Sequence, residues 1–528
     1  MNNKIIYSLC ISMISAISLQ AKQVFVSPDG NDTNNGTVDF PLWSIQKAQS
    51  MVSAGDTVYI RGGTYVITES DISVVENNLF ACISHLDKSG TQGMMINYWA
   101  YPGEHPKFDF SAVKPANQRV VGFWMSGSYI HLKGIEMTGI QVTITTHTES
   151  YCIYSRGNHN IYENLSMHDN KGTGLRHYNG GYNLFLNCDA YNNHDDVSED
   201  KKGGNTDGFG CHPAAGGKGN IFIGCRAWFN SDDGYDCIRS DEDIIFDSCW
   251  SFYNGYSQSF QSLGDGNGFK AGGYAYDEAS LIPDPVPSNT IEFCVAVRNK
   301  ANGFYSNHHL NGNKWLNNSA YKNSCDYNMV NRESPESQNI NVNGYNHVLI
   351  NNLGYGANTE TRYIDTSQNT LVHNSFDLGL VLSDNDFISL DISELMSPRK
   401  SDGSLPDINF MHISPSSVIM DAGVDIGFPF YGNAPELGAF EQPLPRLSDV
   451  AEFSELPGKI FPNPVKDKLT ISNRDFQLIE ITDLQGRTQP IDIHDNSIDV
   501  SRLSNGLYIL KLKTKENKYF RQKILINK

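Results

Sequence analysis

The stretch that decides the fold is Ile221-Phe-Ile-Gly-Cys225-Arg-Ala-Trp-Phe-Asn230-Ser-Asp-Asp-Gly-Tyr-Asp236. An apolar alternation ends at a cysteine, an asparagine follows five residues later, and a glycine stands four residues after that. Such alternation predicts a short strand with one buried face. The same strand pattern begins again at Ile161, Leu184, Ile245, Thr290 and Lys314, and its asparagine recurs at Asn170, Asn193, Asn254, Asn299 and Asn323.

This pattern is an internal repeat, and its shortest spacing is 23 to 24 residues. A circuit of three short strands and three turns needs about that much chain at roughly 3.3 Å per strand residue. An asparagine at one place in every circuit suits a bend, where its amide can bond the coils above and below. We therefore predict an all-β chain whose residues 22–445 form a right-handed parallel β-helix.

The repeat also aligns residues into columns, once insertions at about 194–204 and 255–265 are removed. The aligned glycines are Gly174, Gly208, Gly234, Gly268 and Gly303. Residues two places after them are Arg176, Gly210, Asp236, Lys270 and Tyr305, and residues just before them are Thr173, Asp207, Asp233, Asn267 and Asn302. Successive coils stack about 4.8 Å apart. Asp207 should thus neighbour Asp233, and Asp236 should neighbour Lys270, with the two insertions as walls.

Four cysteines share another column, Cys188, Cys225, Cys249 and Cys294. We predict that they form an inward stack of small apolar thiols. Disulfides between adjacent coils are the alternative, because the coil spacing just admits them.

The charge balance of the chain excludes some classes of function. The formal net charge is −19, which argues against a general nucleic-acid or membrane-surface binder. An acidic protein also repels an acidic substrate, so chemistry on an acidic polymer would need a bound cation or a local basic patch.

Four aspartates converge in the predicted columns, and they cannot all stay ionised without a cation. Oxygen ligands alone indicate a hard ion, Ca²⁺ before Mg²⁺. The candidate ligands are Asp207, Asp232, Asp233 and Asp236. The alternatives are an Asp- and Gly-rich turn that bonds its own backbone, and a purely structural Ca²⁺ site.

Lys270 stands in Gly266-Asn-Gly-Phe-Lys-Ala-Gly-Gly273, where small neighbours leave room for a bulky ligand. A solvated surface lysine is the ordinary alternative. Near a cation the ammonium form is disfavoured, so Lys270 can act as a general base. The reaction that needs both groups is β-elimination from a uronic acid, in which Ca²⁺ neutralises the C6 carboxylate.

At these residues the chain resembles polysaccharide lyase family 9. The resemblance lies in Asn205-Thr-Asp-Gly-Phe209, Asn230-Ser-Asp-Asp-Gly-Tyr-Asp236 and Asn267-Gly-Phe-Lys270, and it extends over roughly residues 22–445. It implies a parallel β-helix, a Ca²⁺ held by the four aspartates, and Lys270 as the base. The implied substrate is an acidic pectic polysaccharide, pectate or polygalacturonate.

Three alternatives to a pectate lyase stay open. Rhamnogalacturonan I lyases belong to the same family and have similar catalytic groups. A polygalacturonase-type hydrolase would use Asp207, Asp232 and Asp233 as acid and base, but it requires no Lys270, and the Gly-His-Gly motif of those hydrolases is absent. A non-catalytic surface β-helix that binds glycan would leave the Asp and Lys columns unexplained.

Further basic residues are candidates for binding substrate carboxylates, although each of them alone is more typical of a surface or packing residue. They are Arg176, Arg239, Arg298, Lys300, Lys201 and Lys202.

The two ends of the chain predict export. Residues 1–21 have the charge, apolar core and small-residue cleavage site of a signal peptide, with an uncleaved anchor as the alternative. Residues 400–445 lose the repeat and are expected to cap the coil, and residues 446–456 are expected to be a linker. Residues 457–528 resemble a C-terminal sorting domain of the type IX secretion system, which implies a small β-sandwich; a carbohydrate-binding sandwich is the alternative. We expect a monomer that is secreted or attached to the cell surface.

Overall fold

The structure is a computed structural model. It describes residues 21–337, 340–441, 460–461, 465–471, 476–483, 489, 492–494, 497–503, 506–514 and 519–526. The predicted signal peptide, apart from Ala21, and the predicted linker at 446–456 lie outside these residues. No helix in the described part of the chain has the length and apolar character needed to cross a membrane.

The predicted parallel β-helix is confirmed, and three parallel sheets run along it. Sheet A contains Gln23–Val26, Thr57–Ile60, Ile96–Ala100, Ile130–Lys133, Ile161–Glu163, Leu184–Leu186, Asn220–Ile223, Ile244–Asp247, Thr290–Glu292, Lys314–Leu316, Val348–Ile350 and Thr370–Val372. Sheet B contains Gly63–Thr68, Pro106–Ala112, Glu136–Thr138, Ser166–His168, Asp189–Tyr191, Arg226–Trp228, Trp250–Phe252, Val295–Val297, Ser319–Tyr321 and Leu353–Tyr355.

Sheet C carries the predicted site. Its strands are Val74–Glu76, Phe80–Leu86, Arg119–Met125, Tyr151–Ser155, Thr173–Asn179, Phe209–Pro213, Tyr235–Asp236, Phe269–Lys270, Asn302–Tyr305, Cys325–Asn328 and Thr359–Arg362. All pairings are parallel except that of Val74–Glu76 with Phe80–Leu86. Outside the three sheets lie the helix Ile45–Met51, the 3₁₀ turns Glu69–Asp71, Ala279–Leu281, Asp384–Asp386 and Ile392–Met396, and a hairpin of Asn331–Arg332 with Asn341–Val342.

The predicted register of sheet C is also confirmed. Arg176 pairs with Gly210, Gly210 with Asp236, Asp236 with Lys270, and Lys270 with Tyr305. The neighbouring inward column, Leu175, Phe209, Tyr235, Phe269 and Phe304, is buried in the core. Alternation along each strand therefore turns the aromatic column inward and leaves the Asp236 and Lys270 column facing out.

The asparagine column forms a ladder of amide hydrogen bonds at the turn between sheets B and C. Each Nδ2 donates to the Oδ1 of the asparagine on the next coil, over 2.8 to 3.0 Å, from Asn170 through Asn193, Asn230, Asn254 and Asn299 to Asn323. The nine cysteines of the described residues are all free and buried. The prediction of a packed thiol stack is thus confirmed.

The expectation that residues 400–445 cap the coil is wrong for the part that the structure describes. Leu395, Phe410 and Ile413 pack with Trp250 and Phe252 on the outer face of sheet B, in a cluster that reaches Leu437. Arg226 in sheet B donates hydrogen bonds to the carbonyls of Leu395 and Ser397, at 3.1 and 2.8 Å. From Trp250 to Leu353 the outer face of sheet B carries mostly apolar side chains, so the chain turns back along it and buries them.

The C-terminal residues form two antiparallel sheets. One contains Ile460–Phe461, Lys468–Ile471, Asp492–His494 and Ser497–Asp499, and the other contains Phe476–Asp483, Gly506–Thr514 and Tyr519–Ile526. Residues of both sheets, among them Leu469, Ile498, Ile481 and Leu510, share one buried cluster. This is the arrangement of a small sandwich.

Candidate active site

Lys270 lies on the outer face of sheet C between two carboxylates. Its Nζ is 3.1 Å from Asp236 Oδ2 and 3.2 Å from Asp233 Oδ2, and its side chain is 13% exposed. The strand register alone sets Lys270 beside Asp236. Asp233 reaches the same ammonium from the turn before its strand, where Asn267 fixes its other oxygen with two hydrogen bonds of 2.7 and 2.8 Å.

Three of the predicted ligands converge beside this lysine. Asp207, Asp232 and Asp233 are buried, and one oxygen of each lies within 4.8 Å of the others. Backbone amides hold two of them: Asp207 Oδ1 accepts a hydrogen bond from the Asp233 amide, and Asp232 Oδ1 accepts one from the Asp265 amide. Asp233 Oδ2 is buried and forms an ion pair with Lys270, without the geometry of a hydrogen bond. The Lys270 ammonium, at 3.2 Å, is its one ion-pair partner among the described residues.

Burial and mutual repulsion make this cluster electrostatically costly. Burial, followed by the charges of neighbouring aspartates, raises the pKa of Asp207 and of Asp232 well above its usual value. Burial also raises the pKa of Asp233 to about 6, even though Lys270 opposes the shift. Three carboxylates in this state, with oxygen donors only, fit a hard divalent cation.

Asp236 differs from the other three aspartates. Burial opposes its ionisation, but the charge of Lys270 and the hydrogen bond from the Ile238 amide help to outweigh it and hold the pKa of Asp236 below its usual value. Its Oδ1 accepts a 2.7 Å hydrogen bond from the Ile238 amide, and its Oδ2 accepts one from Lys270. In this geometry Asp236 therefore pairs with the lysine, and its oxygens are not part of the cluster of three.

The two predicted insertions meet over the site. Gly204 of the first and Gly264 of the second approach so closely that a Cβ on Gly264 would lie 3.0 Å from the Gly204 Cα and 3.1 Å from Asp232 Oδ1. The Asp265 amide then donates to Asp232 over 2.8 Å. The expectation that the insertions wall the sheet is thus met on the side of Asp232.

Arg176 and Arg239 lie near the site, but both are ion-paired. Arg176, in register with Gly210, donates to Glu149 and lies 5.9 Å from the ring centroid of Tyr151. Arg239 forms a two-pronged pair with Asp277. Each guanidinium has further N–H donors beyond these pairs.

The other predicted basic residues are not on the outer face of sheet C. Lys201 and Lys202 are exposed on the first insertion, and Lys202 lies 3.8 Å from Asp200. Lys300 donates to the carbonyls of Leu263 and Gly264, behind the second insertion. Arg298 stacks beside it on aromatic rings.

His212 is a site residue that the sequence reasoning missed. It lies two residues after Gly210 on the same face of the strand, and a Cβ on Gly210 would be only 3.0 Å from its Nε2. Its Nδ1 donates to the Ile238 carbonyl over 2.7 Å, which leaves Nε2 as an acceptor in the neutral ring. Burial, then Arg176, lowers the pKa of His212 to about 4, so the ring is neutral near pH 7.

A parallel β-helix with a lysine beside clustered aspartates on one outer face has the groups needed by a polysaccharide lyase of the β-helix class. Comparison with known proteins makes the assignment specific. The family model described as "Pel9A-like, right handed beta helix region" matches residues 24–346. The chain belongs to this family, and it is a polysaccharide lyase.

The relatives agree with the family. "Pectate lyase L" of Dickeya dadantii (strain 3937) is 34% identical over 427 residues, which cover 79% of this chain and 90% of the relative. A solved "Rhamnogalacturonan lyase" is 42% identical with a TM-score of 0.73, covering 75% of this chain and 97% of its own. The crystal structure of pectate lyase Pel9A is 32% identical with a TM-score of 0.65, covering 81% and 98%.

The C-terminal prediction is confirmed as well. Residues 459–527 match the model described as "Secretion system C-terminal sorting domain". The chain therefore carries a type IX sorting domain, and the protein is secreted or attached to the cell surface.

Proposed function

We propose that this lyase is calcium-dependent and cleaves a uronic-acid polymer of pectin by β-elimination, with Lys270 as the base. The observation that carries the proposal is the placement of Lys270 Nζ at 3.1 and 3.2 Å from Asp236 and Asp233, at the edge of a buried carboxylate cluster. A base and a cation site one coil apart are the two elements that this reaction requires.

Asp207, Asp232 and Asp233 would hold the Ca²⁺, and Asp236 would complete the set after a rotation away from Lys270. The convergence of three buried carboxylates, with oxygen ligands only, supports this assignment. The bound ion would neutralise the C6 carboxylate of the substrate and lower the energy of the carbanion that forms at C5.

Lys270 removes the proton from C5. The electron pair of that C–H bond forms the C4–C5 double bond, the C4–O4 bond breaks, and the departing oxygen takes a proton from solvent. Burial disfavours the Lys270 ammonium, but the four aspartates outweigh burial and raise the pKa of Lys270 well above its usual value. When the aspartates share their charge with a cation, that stabilisation weakens, so the free base forms at alkaline pH.

Two pectic substrates are candidates. Pectate is supported by the curated pectate lyases that align with 79% of this chain. Rhamnogalacturonan is favoured by the 42% identity to a solved rhamnogalacturonan lyase, against 32% to the solved pectate lyase. Arg176 and Arg239 are each already paired with an acidic residue, which leaves less positive charge for substrate carboxylates. A polymer that carries a carboxylate only on alternate sugars needs less such charge.

The test is incubation with polygalacturonate and with rhamnogalacturonan I, each with Ca²⁺ and with a chelator. Unsaturated products are followed by ultraviolet absorbance, and the ratio of kcat/KM on the two polymers assigns the substrate. We expect product that requires Ca²⁺. Saturated products would favour hydrolysis and reject the lysine base, and product formation that persists in chelator would reject the calcium assignment.

A further inference from the structure

A second surface groove lies at the turn between sheets B and C, away from Lys270. Its volume is about 560 Å³, and its lining includes Arg298, Lys300, Lys322, Tyr256 and Tyr321. This volume is in the range of sites that bind small molecules or short oligomers. Among the described residues that line it there is no aspartate or glutamate. In a protein of net charge −19 this groove concentrates positive charge.

The cations of the groove are held in place without neutralising partners. The Arg298 guanidinium lies 5.7 Å from the ring centroid of Tyr253 and 5.2 Å from that of Phe260. Lys322 Nζ lies 4.8 Å from the ring centroid of Tyr321. Among the described residues these two and Lys300 form no ion pair with a carboxylate, in contrast to Arg176 and Arg239 beside the active site. Their charges therefore remain available to an anionic ligand.

The second insertion separates this groove from the aspartate cluster. On one side, Lys300 Nζ donates to the carbonyls of Leu263 and Gly264. On the other side, the next residue, Asp265, donates its amide to Asp232. One short wall thus contacts both sites, and a ligand in the groove is not in the path of Lys270.

We propose that this groove is a second glycan site that binds an anionic stretch of the same polysaccharide outside the catalytic cleft. The ligand class rests on the proposed function. Arg298 and Lys322 bind sugar carboxylates, and Tyr256, which is partly exposed, offers a ring face to the apolar face of a sugar. Holding the polymer at two places raises its effective concentration at the cleft.

The first test measures binding without turnover. Lys270→Ala protein is run in native gels that contain polygalacturonate or rhamnogalacturonan I, alone and combined with Arg298→Gln and Lys322→Glu. We expect the added changes to reduce polymer retardation at least fivefold. The exposed Lys47, on the helix Ile45–Met51, provides the matched control Lys47→Glu, which should leave retardation unchanged. Equal retardation of all variants, or equal loss in the control, overturns the proposal.

The second test separates polymer from short substrate in protein with Lys270 intact. Arg298→Gln with Lys322→Glu should raise KM for the polymer about fivefold and leave kcat/KM for a trimer or tetramer unchanged, because a short oligomer occupies the cleft alone. Thermal melting checks that the variant is folded. An equal loss on both substrates would place the damage in the cleft and reject a second site. The two proposals can also fail separately. If the protein makes no unsaturated product but its retardation still depends on Arg298 and Lys322, the lyase mechanism is rejected and the second glycan site is supported.

Discussion

Asp236 and Lys270 are 34 residues apart in sequence, yet they face each other on adjacent strands of sheet C with Nζ 3.1 Å from Oδ2. The coil creates this contact, since residues one turn apart stack at the strand spacing. The pair connects the base to the carboxylate cluster, so a substitution at either residue should change both catalysis and cation binding.

Lys270→Ala should lower kcat by roughly 10²–10⁴-fold, the usual contribution of a general base. Calorimetry should show Ca²⁺ binding that is no weaker than in the unchanged protein, because an ammonium that competes for Asp233 and Asp236 has been removed. Lys47→Ala serves as the surface control. A Lys270→Ala protein that retains near-normal turnover contradicts the base assignment.

The cation-free protein should lose stability as pH rises. Asp207, Asp232 and Asp233 have folded-state pKa values above their usual ones, so each favours folding when protonated and disfavours it when ionised. In chelator, the Tm should therefore fall as pH rises from about 4 through 6 and beyond. Added Ca²⁺ should restore it at pH 8.

Asp232→Asn supplies the matched variant for this pH effect. It removes one charge from the cluster, so we expect a higher Tm than the unchanged protein in chelator at pH 8 and a smaller increase on adding Ca²⁺. A variant with a lower Tm in chelator and an unchanged Ca²⁺ response would show that Asp232 serves the fold alone.

Gly210→Ala should disturb substrate binding through His212. The new Cβ would lie 3.0 Å from His212 Nε2 and displace the imidazole. His212 Nε2 is an acceptor in the neutral ring, so we expect it to accept a hydrogen bond from a substrate hydroxyl. Loss of that bond should raise KM about tenfold with a smaller change in kcat. His212→Phe should have the same effect, and His212→Gln, which retains an acceptor, a weaker one. Gly204→Ala is the control, because its Cβ meets nothing within 4 Å.

Asn230→Ala should destabilise the coil without touching the site. It removes the acceptor of one Asn193 Nδ2 hydrogen and one donor each from Asn254 Oδ1 and the Ala190 carbonyl, at a cost of about 1–3 kcal/mol in the free energy of unfolding. Chemical denaturation measures the loss. The exposed Asn385→Ala should change stability by less than about 0.5 kcal/mol. Equal effects of the two substitutions would mean that the ladder adds nothing to stability.

The columns of the coil were predictable because a solenoid turns sequence period into spatial contact. The period placed Asp236 against Lys270 and Asp207 beside Asp233, and the register confirms the strand pairing on which this rests. The sequence repeat could not predict side-chain torsion angles. The pairing of Asp236 with Lys270, and not with the other aspartates, is a matter of rotamers and of the charges present.

Other features of the structure could not be predicted from the sequence repeat. The segment that holds Leu395 and Phe410 has no repeat, so nothing in the sequence tied it to the outer face of sheet B. The pairing of Arg176 with Glu149 joins different coils through long flexible side chains. His212 was accessible in principle, because alternation from Gly210 turns it outward, but a single histidine beside a proline gave no signal of its own.

The thiol stack affects how this protein folds and how it responds to redox conditions outside the cell. The nine cysteines in the described part of the chain are buried and unbonded, so these coils need no oxidation step to reach their native state. Reducing agents should leave activity unchanged, and thiol-alkylating reagents should not react with these nine cysteines until the coils separate. The alkylation rate of these cysteines therefore measures how often the solenoid opens.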